Sequence, residues 1–146
     1  MKKINAYILG ALAATATVGT AVAMDHKGMS HTAEVHSMAK AASHNYTAAA
    51  FKQAQEAGKH IVVDVWKKGC PTCKAQHPTL EKAKAKYPEA VFFKVDFNEQ
   101  KDVVRQFNAV TQSTIIVFNG KEEVARSVGE TREDALLAQI ATGADA

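Results

Sequence analysis

IVVDVWKKGCPTC, residues Ile61 to Cys73, joins an apolar run holding one carboxylate, a short basic turn and the only two cysteines of the chain. The run from His60 to Trp66 is rich in Ile and Val and reads as a buried strand with Asp64 at its centre. From Cys70 to about Tyr87 the pattern reads as a helix, with Pro78 inside it as a potential kink. A strand that delivers a cysteine to a helix N-terminus sets the sulfur against unpaired backbone N–H groups and the positive end of the helix dipole. Both favour thiolate over thiol. Cys70, nearer the helix start, is therefore the expected attacking sulfur. Cys73, one turn on, is placed to attack the mixed disulfide that Cys70 forms and so release the product. Pro71 at the first helical position costs no hydrogen bond and presets the helical dihedral. Lys67 and Lys68 either add to the positive potential or are simply solvated.

Two plainer uses of the cysteines fit less well. A bridge between residues three apart closes a very small loop and removes little entropy from the unfolded chain, so it makes a weak structural staple. Zinc needs four ligands, and His77 would still require another partner beside the two sulfurs.

Outward from this motif, Asn45 to Gly58 has helical spacing and a glycine stop, Ala90 to Phe97 reads as a strand and Glu99 to Phe107 as a short helix. Thr114 to Phe118 and Glu122 to Val128 read as strands joined by an Asn119-Gly120 hairpin signal. Thr131 is the expected N-cap of a last helix through Ile140. A strand, helix, strand crossover followed by a helix, a hairpin and a closing helix implies an α/β domain with a mixed sheet and helices on both faces.

The stretch from about Phe51 to Ile140 resembles the thioredoxin superfamily. The resemblance rests on Asp64-Val65-Trp66 ahead of the cysteine motif, Pro78 in the motif helix, Lys94-Val95-Asp96 in the next strand and Val110-Thr111-Gln112-Ser113-Thr114 before the hairpin. It implies a thioredoxin-like three-layer fold with a mixed central sheet flanked by helices. It also implies a thiol–disulfide oxidoreductase acting on protein or small-molecule disulfides, with no cofactor beyond the Cys70–Cys73 pair. Asp64, an isolated acid in an apolar strand, is expected to have a raised pKa. Its match to the family's buried acid implies a proton acceptor for Cys73. Lys94 matches a family lysine beside that acid, Trp66 the tryptophan packed by the motif, and Pro71 and Thr72 the spacer residues that help tune redox poise.

Ser113, following Gln112, departs from the pattern, because the family usually has a cis-proline there. A non-proline cis peptide costs about 3–4 kcal/mol, so the Gln112–Ser113 bond is either cis under strain or trans with a reshaped groove. In both cases a hydroxyl replaces an apolar ring beside the sulfurs, free to hydrogen-bond a sulfur or a peptide group and to admit substrates or a metal ion that a proline ring would block.

The ends of the chain carry other signals. Residues 1–23 combine Lys2 and Lys3, the uncharged stretch Ile4 to Val22 and the small-residue ending Ala21-Val22-Ala23, and read as a cleaved export signal. Residues 24–43 read as a flexible tail and 44–146 as the thioredoxin-like domain. Removing Lys2 and Lys3 leaves 16 basic against 15 acidic residues, so the formal charge falls from +3 to about +1, without a basic stripe. Nucleic-acid binding is thereby disfavoured, and the expected product is a periplasmic monomer that is not embedded in the membrane and exchanges electrons with an envelope donor or acceptor. The tail gathers Met24, His26, Met29, His31, His36 and Met38, thioether and imidazole groups that are copper ligands. A copper-handling protein is therefore the alternative function.

Overall fold

The computed structural model describes residues 43–144. Among these residues the elements are β1 (Ser43–Asn45), α1 (Ala48–Glu56), β2 (His60–Trp66), α2 (Pro71–Lys86), β3 (Val91–Asp96), α3 (Lys101–Gln106), β4 (Thr114–Asn119), β5 (Glu122–Val128) and α4 (Glu133–Ala141). The strands form one mixed sheet in the order β1-β3-β2-β4-β5. β1 and β2 run parallel to β3, whereas β4 runs antiparallel to β2 and to β5.

The alternation along β2 decides the layers. Ile61, Val63 and Val65 enter one core with Phe51 and Ala54 of α1 and Val104 of α3. Val62 points to the other face, with Leu80 and Ala83 of α2 and Leu136 and Ile140 of α4. A strand covered on both faces must be almost continuously apolar, which is why the single carboxylate Asp64 stands out. The first core is held by aromatic edges. Phe51 has ring centroids of Tyr46, Phe93, Phe107 and Phe118 within 5.2–5.8 Å, three of the four contacts edge-to-face, the geometry the ring quadrupole favours.

The structure differs from the sequence reading at several boundaries, four of which have a local cause. The first helix begins at Ala48, not Asn45, because Thr47 caps it by accepting from the Ala50 amide at 3.2 Å. The three residues before it form β1, which pairs in parallel with Phe92 to Lys94. This short polar strand has no apolar pattern to announce it, and its backbone pairing alone makes it a strand. The hairpin turn falls one residue later than expected, on Gly120-Lys121, since Asn119 still pairs with Glu122. Gly120 takes φ +54, and a Cβ there would lie 3.3 Å from the Cα of Gly58. Finally, Arg132 rather than Thr131 is the N-cap of α4, and it offers no side-chain cap. The Glu130 carboxylate accepts from the amide of Arg132 itself at 2.8 Å, just ahead of the first turn.

Phe51→Ala should cost about 3–5 kcal/mol of stability, read as a drop in the urea midpoint, because it empties the centre of the aromatic core. A loss under about 1 kcal/mol would mean that the core closes over the gap.

Candidate active site

β2 ends at Trp66, and Gly69, at φ +77, turns the chain into α2. The Cys70 amide donates back to the Lys67 carbonyl at 3.2 Å and closes that turn. Cys70 is the N-cap of α2. It is held in extended conformation, and its Sγ accepts from the Cys73 amide at 3.0 Å. The sulfur thus takes the place an oxygen takes in an ordinary cap, facing the unpaired N–H groups of the first turn. Pro71 sits at the first helical position, and the two cysteines are joined as a disulfide. α2 continues through Pro78, whose missing amide leaves the Lys74 carbonyl without its helical donor.

Beside the sulfurs lies a groove of about 590 Å³ lined by Asp64, Trp66, Lys67, Lys68, Cys70, Pro71, Cys73, Lys74, His77 and Lys94 among others. Its walls offer four ammonium groups and one carboxylate. Asp64 is half-buried and opens on this groove rather than lying sealed in the sheet. Loss of hydration pushes its pKa up to about 6, against the opposing pull of Lys94, Lys84 and His77. Lys94 is its register partner across the parallel β2–β3 ladder and holds its Nζ 4.3 Å from the centre of the Trp66 ring. His77 is exposed on α2, with Nδ1 3.6 Å from Glu81 Oε1. Thr72, the second spacer, is half-buried.

On the other side of the pair stands Ser113. Its Oγ lies 3.1 Å from Cys70 Sγ and 3.3 Å from Cys73 Sγ. No peptide bond among the described residues is cis, so Gln112–Ser113 is trans, and Ser113 takes φ +64 instead. Gln112 is half-buried next to it.

Two residues at the site were not singled out by the sequence. Gln76 is fully buried, and its Nε2 donates to the carbonyls of Ser113 at 3.2 Å and Glu130 at 2.9 Å. It ties α2 to the Ser113 loop beside the sulfurs and to the loop that follows β5. Lys84 is also buried, with its Nζ 2.6 Å from Glu81 Oε1. That contact is the main reason the Glu81 carboxyl is pushed below its usual range. A buried Lys or Gln in an amphipathic helix looks like a surface residue until the opposite face is known. The tail ligands Met24, His26, Met29, His31, His36 and Met38, and the export signal, lie outside the described residues. Among the described residues no group of three His, Cys, Asp or Glu side chains is placed to hold a metal ion, and no helix is long and apolar enough to cross a membrane.

The family description Thioredoxin matches residues 42–142. A thioredoxin H-type of Fagopyrum esculentum is 34% identical over 94 residues, which cover 64% of this chain and 80% of that one. Thioredoxin-1 of Saccharomyces cerevisiae is 36% identical over 83 residues, 57% of this chain and 81% of that one. Among solved structures, Trxlp of Edwardsiella tarda EIB202 superposes with a TM-score of 0.62 at 41% identity, covering 64% of this chain and 93% of its own.

The raised Asp64 pKa has a consequence for stability. The folded protein binds this proton up to about pH 6, whereas the unfolded chain releases it near 3.9, so stability falls as pH rises through that window. Asp64→Asn should therefore be more stable than wild type at pH 7.5, by at most about 3 kcal/mol and less because the carboxyl opens on water. The two proteins should converge near pH 3.5. Urea melts of the oxidised proteins at both pH values check this, and equal stabilities at pH 7.5 would contradict it.

Proposed function

The chain belongs to the thioredoxin family, and from that premise we propose that it is an exported, periplasmic thiol–disulfide oxidoreductase that exchanges electrons with protein disulfides. The observation that carries the reading is the Cys70 sulfur capping α2 and opening on a groove, with Cys73 bonded to it one turn behind and Asp64 in the groove wall.

Each residue then has a task. With the pair reduced, the Cys70 thiolate attacks one sulfur of a substrate disulfide. A Cys70–substrate bond forms, the substrate bond breaks, and the departing sulfur leaves with the electron pair and takes a proton from water. Cys73 gives its proton to Asp64, and the new thiolate attacks Cys70 Sγ. The Cys70–Cys73 bond forms, the mixed disulfide breaks and the second substrate sulfur leaves. A carboxyl with a pKa of about 6 is mostly ionised at neutral pH and able to take that proton, yet is a better base than an ordinary aspartate. Run backwards, the same steps donate a disulfide. The substrate lies along the groove over Trp66 and Pro71, whose apolar surfaces suit an extended peptide flanking a cystine. Lys94 and Lys84 keep Asp64 from rising so far that it stays protonated.

Residues 1–23 support export, and cleavage after Ala23 would leave a chain beginning at Met24.

Cys70→Ser should abolish turnover of a protein disulfide such as insulin with dithiothreitol as reductant. Cys73→Ser should still attack, accumulating a mixed disulfide through Cys70 that mass spectrometry identifies. Retained turnover in Cys70→Ser, or a trapped adduct on Cys73 in wild type, would contradict these roles. Expressed in a Gram-negative host with its first 23 residues, the protein should be recovered from the periplasm with Met24 at its terminus. Recovery in the cytoplasm with residues 1–23 intact would refute export.

A further inference from the structure

We propose that the Ser113 hydroxyl is a catalytic hydrogen-bond donor to the Cys70 thiolate, and that it shifts the Cys70–Cys73 pair toward its reduced form, making the protein a stronger oxidant. The proposal rests on the redox reading of the pair and adds the residue that sets its poise.

A hydroxyl carries one proton and two lone pairs. Ser113 Oγ stands within reach of both sulfurs, at 3.1 Å from Cys70 and 3.3 Å from Cys73. In the disulfide neither sulfur carries a proton, so the hydroxyl donates to one of them and its lone pairs face an atom that has nothing to give. A disulfide sulfur is also a weak acceptor. Reduction by a dithiol adds two electrons and one proton to the pair, leaving Cys70 as thiolate and Cys73 as thiol. Now the Cys73 S–H donates to Ser113 Oγ while the Ser113 O–H donates to a full negative charge on Cys70. One neutral contact becomes two, one of them charge-assisted. The Cys73 amide, 3.0 Å from Cys70 Sγ, supplies a further donor to the same thiolate. Interactions stronger in the reduced than in the oxidised pair raise its reduction potential.

The hydroxyl is also fixed where it must be. Ser113 is buried. Its amide donates to the Val65 carbonyl at 2.8 Å, and its carbonyl accepts from the Gly129 amide at 2.9 Å and from Gln76 Nε2 at 3.2 Å. Its φ of +64 is a conformation that glycine takes freely and that a residue with a Cβ resists. Strain of this kind persists where the surroundings over-determine it, and it clusters at reacting centres. Among the described residues the hydroxyl's hydrogen-bond partners are the two sulfurs. An apolar ring at this position would provide neither donor nor acceptor. The charged groups facing Cys70 from the groove, Asp64, Lys67, Lys68, Lys74, His77 and Lys94, are untouched by a change at Ser113.

Two variants separate the hydroxyl from the backbone. Ser113→Ala removes the hydroxyl and keeps the strain, and Ser113→Gly removes both. The full mature chain is equilibrated with reduced and oxidised glutathione, and the fraction reduced is read by thiol labelling. In parallel, the Cys70 thiolate is titrated by its ultraviolet absorbance. Both variants should favour the disulfide about tenfold more than wild type, a shift of about 30 mV, and the thiolate should titrate about one pH unit higher. Unchanged constants in both variants, or a shift in glycine alone, would overturn the proposal, the second outcome assigning the effect to strain. If Ser113→Ala fails to fold, the thiolate titration of Ser113→Gly decides, because loss of the hydroxyl moves it whereas relief of backbone strain, common to both protonation states, does not. Failure of the wild-type pair to equilibrate with glutathione at all would instead remove the redox reading itself.

Discussion

The hydrogen bond from the Cys73 amide to the Cys70 sulfur is the contact on which the site depends. It makes a sulfur the cap of α2, so the proposed nucleophile and the helix that would activate it are one structural unit. Gly69 permits the turn, Pro71 presets the first helical residue, and β2 fixes where the turn begins. The cap places Cys70 at the mouth of the groove and Cys73 one turn behind it, on the face of the helix that also meets Ser113. A helix without this cap would still bury Leu80 and Ala83 but would leave the sulfur in solvent with no field to hold its charge.

Around that unit the site balances opposing electrostatic demands. Cys70 needs positive potential to ionise, and the N-terminal dipole of α2 provides it, in a groove that Lys67, Lys68 and Lys74 also line. Asp64 needs the reverse, a poor environment for charge, so that it holds a proton more tightly than an exposed aspartate. Burial provides that, and Lys94 and Lys84 limit it. The two requirements are met side by side because the helix dipole acts at the groove mouth whereas desolvation acts at the sheet floor. Gln76 contributes to neither charge. It fixes the distance between α2 and the Ser113 loop, and therefore the distance between the hydroxyl and the sulfurs.

Much of this was legible in the sequence, for identifiable reasons. The β2 strand from His60 to Trp66 was readable to the residue because a strand buried on both faces must be apolar, and α2 because Cys70 and Pro71 mark its start chemically. The α/β order followed from the alternation of strand and helix patterns. What escaped the sequence was of two kinds. β1 is made of Ser43, His44 and Asn45, polar residues whose strand character comes entirely from pairing with β3. Gln76 and Lys84 are polar residues on the buried side of α2, where only the packed structure shows what they face. Ser113 lies between these cases. Its departure from the family pattern was visible, but whether the peptide was cis or trans, and that a positive φ would aim the hydroxyl between both sulfurs, depended on the register of β4 against β2.

The chemistry proposed for the site requires Cys70, capping a helix in a basic groove, to be the ionised and accessible sulfur of the pair. The most direct test is the rate at which the reduced protein is alkylated by iodoacetamide as a function of pH, with the modified residue located by peptide mass mapping. Cys70 alone should be modified, with an apparent pKa well below the value of about 8.5 for a free cysteine. Equal modification of Cys73, or a profile centred at or above that value, would contradict it.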